Sequence, residues 1–363
     1  MIQAYLNYNK NVKITRHCEE RSDEAIHGIE SSLDCRGATR LAMTTSFLRY
    51  IKLKYKTWPN KIVFLISIIA IFLPLQAQAA DCDRECLVHI VQQYQQALLN
   101  KNYASLPWGD KVAFTENDVA LMIGDGLWGT ATKLSADPYI LADTARGNVL
   151  WMGVVEEHGQ AAYYGLRLRV RNRQITEVES ILGREGTPGV FTKPDAYKLD
   201  GIFSRQVQKK SNRRRLTGIV KNYYRTKALN DGKLYTRFTD NCSRRENGVS
   251  TTTGDQYWAA KVASGCRKQF EIGLFKPTDS IRAVRFPVVD EATGVVAALS
   301  IHDYATRYTS YQTLNGQEVK VPLEYPHSFS MLELFKIEKG AIRQIESFSA
   351  FQPYLMPSRW PVN

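Results

Sequence analysis

An internal repeat constrains this 363-residue chain more than any other feature of its sequence. Four strings recur in the same order, and they pair residues 87–94 with 216–223, 116–119 with 246–249, 154–157 with 288–291, and 175–180 with 342–347. The offset between the copies increases along the chain. A duplicated domain that acquires longer loops in its second copy produces this pattern.

Each copy has the same order of expected secondary structure. Apolar residues at helical spacing begin each copy, with Leu87, Ile90, Val91 and Tyr94 in the first. A Glu-Asn dipeptide follows in an irregular stretch, and the remainder alternates as antiparallel strands separated by turns. A helix followed by a strand meander predicts an α+β layer. A curved sheet wrapped around its helix would leave a conical cavity, which is a natural ligand site.

The amino-terminal 80 residues are not expected to belong to the fold. Residues 62–75 form an uncharged apolar run after four lysines and before Ala77-Gln78-Ala79, which is typical of a secretory signal peptide cleaved near Ala79 or Ala80. The run is shorter than the roughly 20 residues of a membrane span. Residues 17–38 resemble the translation of palindromic repeat elements of bacterial genomes, which implies a start at Met43 and a leader without a fold.

Charge and cysteine content limit the class of protein that follows the signal peptide. Residues 81–363 keep 37 Lys and Arg against 30 Asp and Glu, a mildly basic balance that a solvated surface explains. The basic cluster at 209–215 lacks interleaved aromatic residues, so we expect no nucleic-acid partner. Four cysteines remain: Cys82, Cys86, Cys242 and Cys266.

An even number of cysteines in an exported chain favours disulfides. Three pairings are open, and Cys82–Cys86 with Cys242–Cys266 is the simplest because each bridge then stays within one copy. No histidine lies at ligand spacing beside either pair, so neither a metal site nor a cofactor is expected.

Several strings together carry a family resemblance: DCxRxC at 81–86, FTEN at 114–117, GLWG at 126–129, RFPVVD at 285–290 and ELFKI at 333–337. They resemble exported, uncharacterised proteins of the nuclear transport factor 2-like superfamily, the SnoaL-like group whose relatives include ketosteroid isomerase and scytalone dehydratase. The resemblance implies two tandem cone-shaped α+β domains that pair through their sheets as an internal pseudo-dimer in a monomer. The catalytic motifs of those relatives do not match this chain position by position, so no mechanism transfers.

The expected domain order follows from the repeat and the resemblance. It comprises a leader (1–42), a signal peptide (43–80), a first SnoaL-like domain (81–185), a linker (186–212), a second SnoaL-like domain (213–350) and a tail (351–363).

The candidate chemistry lies mainly in the second copy. His302, Asp303 and Tyr304 end one strand and His327 begins the next, so His327 with Asp303 and Tyr304 would form an acid–base set. The alternative is a hydrogen-bond cluster at strand ends, because adjacent strand residues point to opposite faces.

The recurring dipeptides are open to two interpretations. Glu116-Asn117 and Glu246-Asn247 are either ties between a loop and backbone amides or duplicated ligand contacts, and His302 is a further candidate contact. Trp128, between two glycines, either covers a ligand or belongs to the core.

We therefore expect an exported periplasmic or secreted protein that binds a small hydrophobic or aromatic molecule without a defined reaction. The alternatives are a lyase or isomerase acting by acid–base chemistry in the second domain, and a structural or interaction module of the envelope. No membrane association is expected after cleavage of the signal peptide.

Overall fold

The computed structural model describes residues 82–189, 194, 197–254 and 257–360. The expected leader, signal peptide and cleavage site lie outside these described residues. Within the described ranges, no helix combines the length and the apolar character needed to cross a membrane.

The first copy places one long helix on a seven-stranded sheet. Helix α1 (Arg84–Leu99) begins at Asp83, whose carboxylate accepts a hydrogen bond from the backbone N–H of Cys86. The other elements are β1 (Trp108–Glu116), β2 (Val119–Ala120), α2 (Leu127–Thr130), β3 (Ala131–Leu134), β4 (Tyr139–Asp143), β5 (Asn148–Glu157), β6 (Gln160–Arg171) and β7 (Gln174–Arg184). The sheet order is β2-β1-β7-β6-β5-β3, and β4 also pairs with β5.

The second copy repeats this plan with additional segments. Its long helix α3 (Arg213–Leu229) begins at Asn212 and ends at Asn230, which adopts the left-handed conformation. The remaining elements are β8 (Phe238–Glu246), β9 (Val249–Ser250), α4 (Trp258–Val262), α5 (Cys266–Glu271), β10 (Ser280–Asp290), β11 (Val295–Tyr304), β12 (Ser310–Gln312), β13 (Glu318–Lys320), β14 (His327–Glu338) and β15 (Ala341–Pro353). The sheet order is β10-β11-β14-β15-β8-β9, and β12 and β13 form a separate ribbon.

The two sheets have the same arrangement over four neighbouring strands. In each, the first long strand lies parallel to the last, β1 beside β7 and β8 beside β15, whereas the other strand pairs are antiparallel. The order β1-β7-β6-β5 therefore corresponds to β8-β15-β14-β11.

Three of the four repeated strings fall on equivalent elements, but the match of 154–157 with 288–291 does not. It joins β5 to β10, whose place in the second sheet corresponds to β3 and β4. Because β5 and β10 hold different places in their sheets, this short match does not mark equivalent strands.

Apolar packing holds the two sheets together and holds a helix on each. A group of buried apolar residues, called cluster 1, packs α1 on the outer face of the first sheet and includes Leu87, Val91 and Leu98. A corresponding group of buried apolar residues, called cluster 3, packs α3 on the second sheet in the same way. Between the sheets lies cluster 2, which joins Tyr163 of β6 to Phe348 of β15, with ring centroids 5.1 Å apart. Full burial of each large apolar side chain stabilises the fold by roughly 1.5–3 kcal/mol.

Two segments expected to lie outside the domains contribute to this packing. Ile202 and Phe203, in the expected linker, form a 3₁₀ turn and are buried in cluster 2. The expected tail begins at residue 351, but β15 continues to Pro353, because its last residues pair with the start of β14. Further along, Trp360 is buried and donates a hydrogen bond from Nε1 to the Thr115 hydroxyl at 3.1 Å.

Two disulfides lie within the described residues. Cys82 is bonded to Cys86 at the start of α1, and Cys242 of β8 is bonded to Cys266 of α5. Each bridge stays within one copy. The second fixes the short helix α5 against the sheet, next to the candidate site.

Candidate functional site

A cavity of about 770 Å³ lies inside the second copy. Strands β8, β11 and β14 form its floor, and α3, α4, α5 and the segment 274–278 form its walls. The floor residues are separated by two along each strand, which directs their side chains to one face. They are Arg244 and Glu246 on β8, His302 and Tyr304 on β11, and His327, Phe329 and Met331 on β14.

Aromatic side chains contribute to the apolar part of this cavity. Five of them retain partial exposure and come from four separate segments: Tyr257, Trp258, Phe275, Tyr304 and Phe329. The imidazole of His327 belongs to the same surface, because it stacks on the Tyr304 ring with centroids 4.9 Å apart and planes 8° apart. A flat apolar ligand would find several ring faces to pack against.

Charged groups occupy one end of the cavity. The Lys227 Nζ lies 3.0 Å from Nδ1 of His302, whose Nε2 is 3.2 Å from the Ser300 hydroxyl. The guanidinium of Arg244 donates to Glu246 at 2.8 Å and to Glu333 at 3.2 Å. The two carboxylates nearest this end are therefore bonded to Arg244.

Burial governs the protonation of these groups. It lowers the pKa of Lys227 to about 8, and the positive charge of Arg244 contributes in the same direction. Burial also holds the pKa of His302 well below its ordinary value, with Lys227 and Arg244 adding to the effect, so this imidazole is neutral at neutral pH. For Glu246, burial alone would raise the pKa, but the adjacent Arg244 outweighs it and the pKa is lowered.

The expected acid–base set is only partly assembled. Tyr304 and His327 are direct cross-strand partners, so they meet on the cavity face. Asp303 is paired with Ser328 and therefore points to the opposite face of the sheet. There its carboxylate binds Arg282 at 2.7 Å and the hydroxyls of Ser328 and Ser280.

The expected pair of His327 with Asp303 does not form, because alternation along β11 separates the two side chains. The Nδ1 of His327 instead lies 2.7 Å from the carbonyl oxygen of Tyr325. Burial lowers the pKa of His327, so this side chain is also neutral at neutral pH.

The recurring asparagines have the same structural task in both copies. Asn117 and Asn247 adopt positive φ in the tight turns that follow β1 and β8. The Asn117 side chain accepts from the N–H of Leu182 and donates to its carbonyl, and Asn247 does the same with Ser349. Each asparagine thus ties its hairpin to the last strand, β7 or β15.

The two recurring glutamates have different surroundings. Glu246 lines the cavity, whereas Glu116 accepts a hydrogen bond from the backbone N–H of Leu127 and forms an ion pair with Arg184. The equivalent position in the first copy therefore holds a helix in place.

Trp128 fills the interior of the first copy. It is 3 % exposed, donates from Nε1 to the Tyr94 hydroxyl at 3.1 Å, and packs edge-on against the rings of Tyr94 and Tyr103. It is a core residue of cluster 1, with Leu87 and Tyr164. Trp128 and its neighbours thus fill the space beside α1 in the first copy.

Lys227 and Arg244 were not among the expected site residues. A pattern in the sequence could have identified Lys227, because Leu216, Val220, Tyr223 and Lys227 follow each other at helical spacing on the buried face of α3. A lysine in such an apolar stripe indicates a buried amine. No group of three or more His, Cys, Asp or Glu suited to a metal ion occurs among the described residues.

Comparisons with known proteins give a match to one family of domains and several low-scoring matches to solved structures. A family described as a domain of unknown function (DUF8021) matches residues 209–349, less than half of the chain. No curated protein matches. Among the solved structures to which the chain is similar are three that each give a TM-score of 0.24.

These structures correspond to little more than a third of the chain. A nuclear transport factor 2-like protein of unknown function from Burkholderia xenovorans LB400 is 11% identical and covers 35% of this chain and 98% of its own. A candidate polyketide cyclase from Xanthomonas campestris pv. campestris is 20% identical, with coverage of 38% and 92%. AusH from Aspergillus nidulans is 12% identical, with coverage of 38% and 86%.

Proposed function

We propose that this protein binds a small hydrophobic or aromatic molecule in the cavity of its second copy. The observation that carries the proposal is the convergence of five partly exposed aromatic side chains on one cavity of about 770 Å³. Ligand pockets of proteins commonly measure about 300–1,000 Å³, and they combine apolar walls with a few polar groups that fix orientation. Lys227, His302 and Arg244 are those polar groups.

In this proposal the two copies have different roles. Trp128 and its neighbours fill the interior of the first copy, which serves as a scaffold, while the second copy retains the binding space. The apolar packing of cluster 2 supports an internal pseudo-dimer of two cone-shaped domains, spanning about 81–185 and 213–350.

Export belongs to the same proposal. Its support is the apolar run at 62–75 with a small-residue cleavage site, together with two disulfides within the described residues. Disulfides persist in oxidising compartments such as the periplasm.

Acid–base catalysis by a lyase or isomerase is the second candidate function. The contact between Lys227 and His302 inside the cavity favours it. With Asp303 on the opposite face, the groups available for proton transfer would be His302, Lys227, Tyr304 and His327.

A fluorescent probe tests the binding proposal directly. N-phenyl-1-naphthylamine, which is neutral and aromatic, should bind the purified protein with one saturable site. Ala259→Trp introduces a large side chain into the cavity wall and should abolish this binding. Met122→Trp adds a tryptophan at a position that is 76% exposed in the first copy, and should bind as the wild type does.

Thermal melts of both variants establish that each is folded before binding is compared. Unchanged probe binding by a folded Ala259→Trp variant would contradict the proposal. Mass spectrometry of small molecules that co-purify with the wild-type protein, and not with this variant, would identify the natural ligand.

A further inference from the structure

We propose that Lys227 captures the carbonyl carbon of an aldehyde or ketone ligand as an imine. This inference rests on the proposed function, because it concerns the same cavity, and it adds the chemical class of the ligand. The ligand would combine a hydrophobic or aromatic body with a reactive carbonyl group.

The position of Lys227 carries the argument. The helical spacing of α3 directs its side chain inward, where it is 4 % exposed and lies in the cavity wall beside the ring of Phe275, 5.2 Å from Nζ to the centroid. Within the part of the chain that the structure describes, it forms no ion pair with a carboxylate. A lysine that serves only structure is seldom buried without such a partner.

The surroundings disfavour the ammonium form. The two carboxylates nearest the amine, those of Glu246 and Glu333, are hydrogen-bonded to Arg244, whose own positive charge opposes protonation of the amine. Burial has the larger effect and brings the pKa of Lys227 to about 8. An appreciable fraction of the side chain is therefore neutral amine near neutral pH, which is the nucleophilic form.

His302 is placed to move the protons that this reaction requires. Its Nδ1 lies 3.0 Å from the amine and its Nε2 lies 3.2 Å from the Ser300 hydroxyl, so the tautomer protonated at Nε2 would present Nδ1 to the amine as an acceptor. The amine lone pair forms a C–N bond to the carbonyl carbon, and the carbonyl π electrons move to oxygen. His302 accepts one proton from the nitrogen and delivers it to that oxygen, which gives the neutral carbinolamine. The nitrogen lone pair then forms the C=N bond as the C–O bond breaks, and His302 moves the second N–H proton to the departing hydroxide, so one carbonyl and one amine yield one imine and one water.

Reductive trapping tests the proposal. The protein is incubated at pH 7 with 2-naphthaldehyde and sodium cyanoborohydride, which supplies hydride to reduce an imine to a stable amine. Intact mass and peptide mapping then locate the naphthylmethyl group. Lys227 should be labelled first, because a pKa about 2.5 below that of an ordinary lysine increases the neutral fraction by about 300-fold at pH 7. We expect at least a tenfold preference over the exposed Lys261 at the cavity wall.

Matched variants make the result specific. Lys227→Arg keeps a positive charge but cannot form the imine, so it should lose the label, and Lys233→Arg, at an exposed position outside the cavity lining, should keep it. Melting curves confirm that both variants are folded, and Lys227→Met is the substitute if the arginine is not accommodated. Labelling spread evenly over surface lysines, or equal labelling of wild type and Lys227→Arg, would overturn the proposal.

A ligand without a carbonyl separates this inference from the binding proposal. The hydrocarbon 2-methylnaphthalene should displace N-phenyl-1-naphthylamine from the wild-type protein. Displacement with no label on Lys227 refutes the imine and leaves the binding function standing. If the probe does not bind at the cavity and Lys227 is not labelled, both proposals fail.

Discussion

Replacing Lys227 by methionine should remove a specific pH dependence of stability. The folded-state pKa of Lys227 is about 8, against the ordinary 10.5 that the unfolded chain is expected to show. A depressed pKa means that the folded state binds fewer protons, so the contribution is fully present above pH 10.5 and is lost as the pH falls through 8. The total penalty below pH 8 is roughly 3 kcal/mol, since each pKa unit corresponds to about 1.4 kcal/mol.

The measurable part of this effect lies between pH 7 and 9. Over that interval the free energy of unfolding of the wild type should rise by about 1 kcal/mol relative to Lys227→Met, because the other titrating groups cancel in the difference. Equilibrium urea unfolding of both proteins, with the disulfides intact, provides the comparison. Methionine matches the length of the lysine stem and suits an apolar site, so the variant should also be more stable than the wild type at pH 7.

Lys261→Met is the matched control, because it makes the same substitution at a lysine that is exposed to solvent. A difference between wild type and Lys227→Met that stays flat from pH 7 to 9 would mean that Lys227 remains charged in the folded state. The argument for a neutral amine in the cavity would then be wrong.

Three further predictions concern the scaffold. Trp128→Ala should lower the free energy of unfolding by about 4 kcal/mol, as deletion of a buried tryptophan does, and probe binding by the protein that remains folded should be unchanged. Burial raises the pKa of Glu346 to about 7 despite the nearby Arg245, so the stability of the wild type relative to Glu346→Gln should fall as the pH rises from 4.5 to 7; a rise would contradict this assignment. Replacing both Cys242 and Cys266 by serine should cost about 3 kcal/mol in the chain-entropy description, and non-reducing peptide mapping of the wild type should recover that pair rather than free thiols.

Much of the fold follows from local patterns in the sequence. The helical spacing of Leu87 and Leu216 correctly predicts α1 and α3, and alternation predicts the long strands. The Glu-Asn repeat identifies two equivalent hairpins because each asparagine must adopt positive φ and satisfy the same two backbone groups. These features depend on residues that are close in sequence or on one contact geometry that both copies repeat.

The candidate site depends on relations that the sequence does not encode locally. Alternation alone separates Asp303 from Tyr304, but the register that places Tyr304 opposite His327 is set across the intervening loop of residues 305–326. Trp128 fills the interior of the first copy because α2 packs against β3 and α1. The spacing of apolar residues in the sequence does not predict this packing. Lys227 is predictable only in part. The helical spacing of the sequence predicts its position on the buried face of α3, but its neighbours Arg244 and His302 come from two distant strands.

The last described residues have a consequence for how the chain reaches its native state. The indole of Trp360 lies over the guanidinium of Arg167 from the first sheet and of Arg285 from the second, while Ser358 donates to Asp118. The amino-terminal sheet therefore acquires its final contacts only when the carboxyl-terminal residues have been synthesised. We expect the two sheets to dock fully in a single late step that requires residues 354–360, and a chain truncated after Pro353 to retain a loosely docked pair of sheets that proteases can enter.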